Sequence, residues 1–175
     1  EEHLCRCSNL YPHLESEGKQ ERYPLHRLES LGSDIPDFSV LVHEQICFFK
    51  VFDDAQNYVT LPREEWFTVG VLTAAAENVR GARCLGPNMA RFVDYLIDVT
   101  EMQACTHLVL SAWGCGAFGQ CPAAVAACFH QRLSQSKASD MKIVFAIKDD
   151  HNSDENLRAF RNMFPRARTC FFCRD

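Results

Sequence analysis

Strand and helix patterns alternate through the second half of this 175-residue chain, and the alternation predicts an α/β fold, a mostly parallel sheet between helical layers. Two further observations point the same way. Ile143 to Ile147 is a nearly all-apolar run, the pattern of a strand covered on both faces. A glycine-rich turn, Ser111 to Gly119, joins an apolar run ending at Leu110 to a helix-patterned segment with Pro122 near its start.

The elements follow in order. Leu4, Cys7, Leu10, Tyr11 and Leu14 have helical spacing and predict one helix that ends near Pro12. Residues 15–36 are polar and punctuated by Gly18, Pro24, Gly32 and Pro36, a loop with short turns. Val40 to Val42 and Ile46 to Phe52 are β-rich runs separated by His43-Glu44-Gln45. Phe52-Asp53-Asp54 breaks that pattern, and Leu61-Pro62 adds a turn. Trp66 to Thr73 predicts a strand that exits into Ala74-Ala75-Ala76-Glu77-Asn78. Pro87 opens a helix whose Met89, Phe92, Val93, Leu96, Ile97 and Thr100 form one apolar face. Leu108 to Leu110 predicts the strand that feeds the glycine turn, and Val125, Phe129 and Leu133 mark the next helix. Asp154-Glu155 suits the first turn of a last helix with Leu157, Phe160 and Phe164 inward. Thr169 to Cys173 predicts a final short strand.

Length fits a single domain, 1–175, and an apolar content of 47% supports an ordinary core. No apolar run approaches the roughly 18 residues of a membrane span, which argues against a membrane partner. The acidic start is not a secretory signal, and a chain opening on Glu1 rather than methionine is expected to lack upstream residues. A net charge of −5 argues against DNA as a partner, yet leaves room for a local phosphate pocket of backbone amides. Ten cysteines, several on apolar patterns, read as buried free thiols in an intracellular, reducing compartment, cytoplasmic or nuclear.

The glycine turn carries the chemistry. Strand, glycine-rich turn and helix together point backbone N–H groups at an anion, at the carboxyl end of a strand where α/β sheets bind ligands. The candidate binding residues are Trp113, Gly114, Cys115, Gly116, Ala117, Phe118 and Gly119, with Trp113 and Phe118 offering flat surface to a sugar or base. The same turn without a ligand is a tight bend with a packed Trp and Phe. Cys115 reads as a small side chain under the loop, or as a thiol made nucleophilic by a helix start. Asn78, at the other strand exit, is a hydrogen-bonding candidate, or part of close sheet–helix packing. Glu1-Glu2 either favours a helix dipole or supplies the carboxylates that glycoside cleavage needs. Cys5-x-Cys7 with Cys170-x-x-Cys173 could form a four-thiolate zinc site, but the first pair is too tightly spaced for the usual knuckle, so no metal is expected.

Taken together, these segments resemble the microbial-type poly(ADP-ribose) glycohydrolase family, a branch of the macrodomain-like fold. Glu1-Glu2-His3-Leu4-Cys5-Arg6 with Ser8 and Leu10-Tyr11-Pro12 resembles the end of its Gln-Glu-Glu signature and the following helix. Val71 to Asn78 resembles its strand exit, with Ala76-Glu77-Asn78 where the family more often has Ala-Pro-Asn. Leu108 to Gly119 resembles its Trp-Gly-Cys-Gly-x-Phe-Gly segment, with Ser111 in place of the usual glycine, and Val144 to Ile147 resembles the next strand.

The resemblance implies a three-layer α/β/α macrodomain-like fold lacking its first strands, because the family carries a strand and a Gly-Gly-Gly loop upstream of the signature. It implies Glu2 as catalytic acid/base and Glu1 as a ligand of the ribose bearing the scissile bond. The 114–119 loop would cradle the diphosphate, with Phe118 against the adjoining ribose. The implied enzyme is a glycosidase that cuts ribose–ribose O-glycosidic bonds of poly(ADP-ribose) without a cofactor, inactive or impaired in a chain of this extent and active in the complete parent protein. The alternative is a non-catalytic module that binds ADP-ribose or a related nucleotide.

Overall fold

The computed structural model describes residues 2–19, 40–53, 55, 57–80, 86, 88–135, 141–148 and 154–167, the side chains of 17–19 excepted. Glu1, the loop through Pro36 beyond Lys19, Pro87 and the strand expected at Thr169 to Cys173 lie outside the described residues. The chain divides into two compact units, 1–75 and 76–175. The fold class is mixed α/β.

The first unit contains α1 (Glu2–Cys7), α2 (Leu10–Lys19), β1 (Leu41–Phe48), β2 (Lys50–Asp53), β3 (Asn57–Thr60) and β4 (Phe67–Thr73). The single helix expected over 4–14 is two helices, and Pro12 ends neither; it sits in the first turn of α2, where a missing N–H costs nothing. The break falls at Ser8-Asn9, and side chains hold it. Ser8 Oγ donates to the Leu4 carbonyl at 2.6 Å and accepts from the Leu10 amide at 3.1 Å. Asn9 Oδ1 accepts from the Cys47 amide at 2.9 Å, tying the break to β1. Leu10 and Leu14, one helical turn apart, pack on Ile46 and Phe48 to make the core of this unit.

The two β-rich runs around His43-Glu44-Gln45 are one strand. β1 runs through that segment by a register shift between His43 and Ile46 while pairing antiparallel with β4. A bulge of this kind absorbs polar residues without ending the strand. The turn signal at Asp53 is the reversal of a hairpin, β2–β3, that ends just before Leu61, and its Asp53↔Asn57 pair closes on Asn57 at φ 68. Asparagine tolerates that left-handed conformation better than most residues.

The second unit contains α3 (Met89–Met102), β5 (His107–Leu110), α4 (Pro122–Gln135), β6 (Lys142–Phe145) and α5 (Glu155–Met163). The apolar face expected on α3 is the buried face: Met89, Phe92, Val93, Leu96, Ile97 and Thr100. β5–α4–β6 is a βαβ unit with parallel strands in the register Leu108↔Ile143 and Leu110↔Phe145. Among the described residues, parallel pairing is confined to this pair; the other two strand pairs are antiparallel. β6 alternates rather than being covered on both faces, and Val144 is 45% exposed beside its partner Val109 at 66%. Phe129 of α4, Phe145 of β6, and Phe160 with Phe164 at the end of α5 form an aromatic cluster with centroids 4.9–6.5 Å apart. Arg132 of α4 reaches Asp98 and Glu101 of α3 at 2.5 and 3.2 Å, linking the two helices.

Candidate functional site

In the second unit the chain leaves β5 at Leu110, turns through the glycine segment and enters α4 at Pro122. Three short bonds shape the turn: Cys115 N–H to the Ala112 carbonyl at 3.1 Å, Gly119 N–H to Gly116 at 3.1 Å, and Gln120 N–H to Gly114 at 3.0 Å. Among the described residues the amides of Gly114, Gly116, Ala117 and Phe118 donate no hydrogen bond. Several free N–H groups in one tight loop form a ready anion cradle.

The three glycines have different reasons. Gly114 and Gly119 lie at φ +79 and +71, where a side chain is strained. A Cβ at Gly114 would also stand 2.9 Å from both Ala76 Cβ and Gln120 Cγ. Gly116 has neither constraint: its φ is ordinary and nothing lies within 4 Å of where its Cβ would be. The protein's own packing therefore does not account for glycine at 116.

The loop lies against residues 76–80 of its own unit, the end of the other strand exit. Val79 N–H donates to the Phe118 carbonyl at 2.9 Å, and a Cβ at Gly119 would meet the Arg80 backbone at 3.3 Å. Asn78 is therefore next to the loop, and its Oδ1 accepts from the Arg80 amide at 3.1 Å, closing a local turn. Trp113, Cys115 and Phe118 are half-buried, and Gly116 and Ala117 exposed.

Two residues of this arrangement have roles that the sequence did not assign. Gln120, 2% exposed, donates from Nε2 to the Glu77 carbonyl at 2.8 Å and accepts at Oε1 from the Gly86 amide at 2.9 Å. Glu77 is the second residue. Its carboxylate accepts from the Asn88 amide at 3.1 Å and the Asn88 side chain at 2.9 Å, at the start of α3. That places negative charge where helix N–H groups lack partners. A helix pattern gives no hint of a cap supplied from eleven residues upstream.

The Cys115 thiol is not activated. Burial pushes its pKa from 9.0 up to about 11, with the Cys121 thiol and the Glu155 carboxylate adding to the rise, and its Sγ lies 3.7 Å from the Trp113 carbonyl. The helix starts seven residues later, too far to lower the value. The nucleophilic reading of this thiol has no support in its surroundings.

In the first unit, Glu2 is the first residue of α1 and its side chain is 76% exposed. It pairs with Arg6 one turn along, and the Arg6 guanidinium lies 5.5 Å over the Tyr58 ring of the hairpin. Tyr58 Oη is 2.6 Å from His3 Nδ1. Cys5 is half-buried, and Cys7, Cys47, Cys105, Cys115, Cys121 and Cys128 are half-buried free thiols. Cys170 and Cys173 lie outside the described residues, and among those described no cluster of three His, Cys, Asp or Glu side chains could hold a metal. No described helix is long and apolar enough to cross a membrane.

No protein-family model matches the chain, and no curated protein sequence does. Solved structures do. A poly(ADP-ribose) glycohydrolase point mutant from Deinococcus radiodurans, in complex with ADP-ribose, is 30% identical at a TM-score of 0.73, covering 94% of this chain and 67% of its own. The parent Deinococcus enzyme with ADP-ribose is 28% identical at 0.72, over 93% and 66%. The Thermomonospora curvata glycohydrolase bound to the inhibitor ADP-HPD is 26% identical at 0.69, over 93% and 61%. The chain thus spans between three fifths and two thirds of the length of these structures.

Proposed function

This chain belongs to the bacterial-type poly(ADP-ribose) glycohydrolase family, and from that premise we propose that it binds the ADP-ribose unit of poly(ADP-ribose) and serves its hydrolysis. The 114–119 loop grips the pyrophosphate through its unengaged amides, with Trp113 and Phe118 against the sugars and Asn78 at the edge. Glu2 acts as the acid/base of ribose–ribose O-glycosidic cleavage. It gives a proton to the departing ribose oxygen as the bond to the anomeric carbon breaks, then takes one from the water that replaces it. Glu1, outside the described residues, is the proposed ligand of the ribose that carries the scissile bond. The reading needs no cofactor. The free thiols support an intracellular, reducing setting, and the net charge of −5 speaks against DNA as a partner.

One observation carries this reading: open space at Gly116 beside the four unengaged amides. Glycine without a packing reason is glycine that leaves room for something else to approach the backbone. Gly116→Ala is expected to leave the melting temperature unchanged and to weaken ADP-ribose binding about tenfold in titration calorimetry, about 1.4 kcal/mol. Equal binding by the two proteins removes the pyrophosphate from this loop.

A second reading has its own support. Glu2 is solvated and held by a surface ion pair, whereas the loop is fastened from behind. A module that holds ADP-ribose without cutting would look the same. Release of ADP-ribose from polymer decides: binding with no release selects the non-catalytic module.

A further inference from the structure

Gln120 fastens the glycine loop from behind, and we infer that it is the positioning residue that sets the loop's amides for an anion. The inference rests on the proposed pyrophosphate role of that loop. Its physical basis is the fit of one buried amide to three chain segments. The Gln120 backbone N–H closes the loop on the Gly114 carbonyl at 3.0 Å. Its side chain then crosses to the strand exit, donating to Glu77 at 2.8 Å, and to the segment before α3, accepting from Gly86 at 2.9 Å. The fit is close on every side: a Cβ at Gly114 would meet Gln120 Cγ at 2.9 Å, and one at Gly86 would meet Gln120 Nε2 at 3.0 Å.

Only an amide of this length serves both partners. Glutamate has no donor for the Glu77 carbonyl when ionised, methionine offers neither donor nor acceptor, and asparagine is one methylene short. Losing the side chain would leave a buried N–H and a part-buried C=O without partners, which the chain relieves by shifting the segments that carry them. Gln120 adjoins the loop, so a shift of either segment changes how the strand exit sits against the loop. The loop's other bond to the strand exit, Val79 N–H to Phe118, depends on the same separation. The Glu77 carboxylate continues the connection to Asn88 at the start of α3, so the loop is referenced to a helix rather than to another loop. The anion site is thereby shaped before a ligand arrives, which spares ordering cost on binding.

The test compares Gln120→Met and Gln120→Glu with wild type, using ADP-ribose calorimetry and amide hydrogen exchange. Ile97→Val, in the buried face of α3, is the control for lost stability alone. The Gln120 variants are expected to bind ADP-ribose about tenfold or more weakly, with faster exchange at Val79 and Gly119 and unchanged exchange in mid-α4. The control is expected to bind as wild type does. Wild-type affinity in either folded Gln120 variant overturns the inference. Outright unfolding of both variants also overturns it, since Gln120 would then serve the unit as a whole rather than the loop. If wild type itself fails to bind ADP-ribose, the pyrophosphate reading falls and exchange judges the fastening by itself: acceleration confined to the loop and strand exit upholds it, and unchanged rates overturn it.

Discussion

Glu2 and the glycine loop are the two halves of the proposed chemistry, and they are held in opposite ways. Glu2 stands on the surface of the first unit, 76% exposed, with Arg6 as its ion-pair partner. The loop of the second unit is backed by Gln120, 2% exposed, whose two side-chain bonds reach segments 34 and 43 residues away. Water screens a surface pair between two adjustable side chains, so it contributes little and fixes little. Buried hydrogen bonds cannot be traded for water, so they fix geometry even where their net stabilisation is modest. The binding half is therefore shaped by the fold, and the acid half rests on local helix geometry.

Four experiments break or sharpen that contrast. The largest effect is expected from Glu2→Gln. Removing an acid/base should slow release of ADP-ribose from polymer about 10²- to 10⁴-fold, with calorimetric affinity for ADP-ribose unchanged. A matching loss of affinity would make Glu2 a binding group instead. Gly114→Ala comes next. Forced into positive φ and against Ala76 and Gln120, alanine should cost about 1–3 kcal/mol in urea denaturation and weaken ADP-ribose binding too. Together with Gly116→Ala, it separates the glycine that the fold needs from the one that the ligand needs.

A smaller effect belongs to pH. The Cys115 thiol is held protonated to about 11 in the folded chain, against 9.0 for an ordinary thiol. Below the lower value both states keep the proton and the contribution is whole. As pH rises from there through about 11 the unfolded chain ionises first, so this part of the stability is lost, and Cys115→Ser should flatten that fall in denaturation series. Alkylation mapped by mass spectrometry should find Cys115 slow at pH 8. Arg6→Ala is expected to do least: it strips the partner from Glu2, yet the melting temperature should stay within error. A large loss there would mean that the acid half is as firmly built as the loop.

Legibility followed the range of the contacts. The α3 face could be read residue by residue because burial of one stripe repeats every three to four positions within the element itself. The glycine loop was legible because glycine at 114 and 119 records a local backbone requirement. The break at Ser8 was not, since Asn9 is held by Cys47 across 38 residues and spacing alone continues the helix. The β2–β3 hairpin was missed because its turn residues looked like an end rather than a reversal.

Composition and period by themselves determined the α/β class, the buried face of α3 and the βαβ order around the loop, and the glycine spacing offered 114–119 as a proposed cradle. Tertiary structure decided that Cys115 is a half-buried thiol with a raised pKa, that Glu77 caps α3 and that Gln120 ties the loop to the strand exit and to the segment before α3. The physical reason is that a periodic pattern records which face is buried, whereas a hydrogen bond between distant segments leaves no period. A single polar residue such as Gln120 reads alike in a loop facing water and in one fastened to the core.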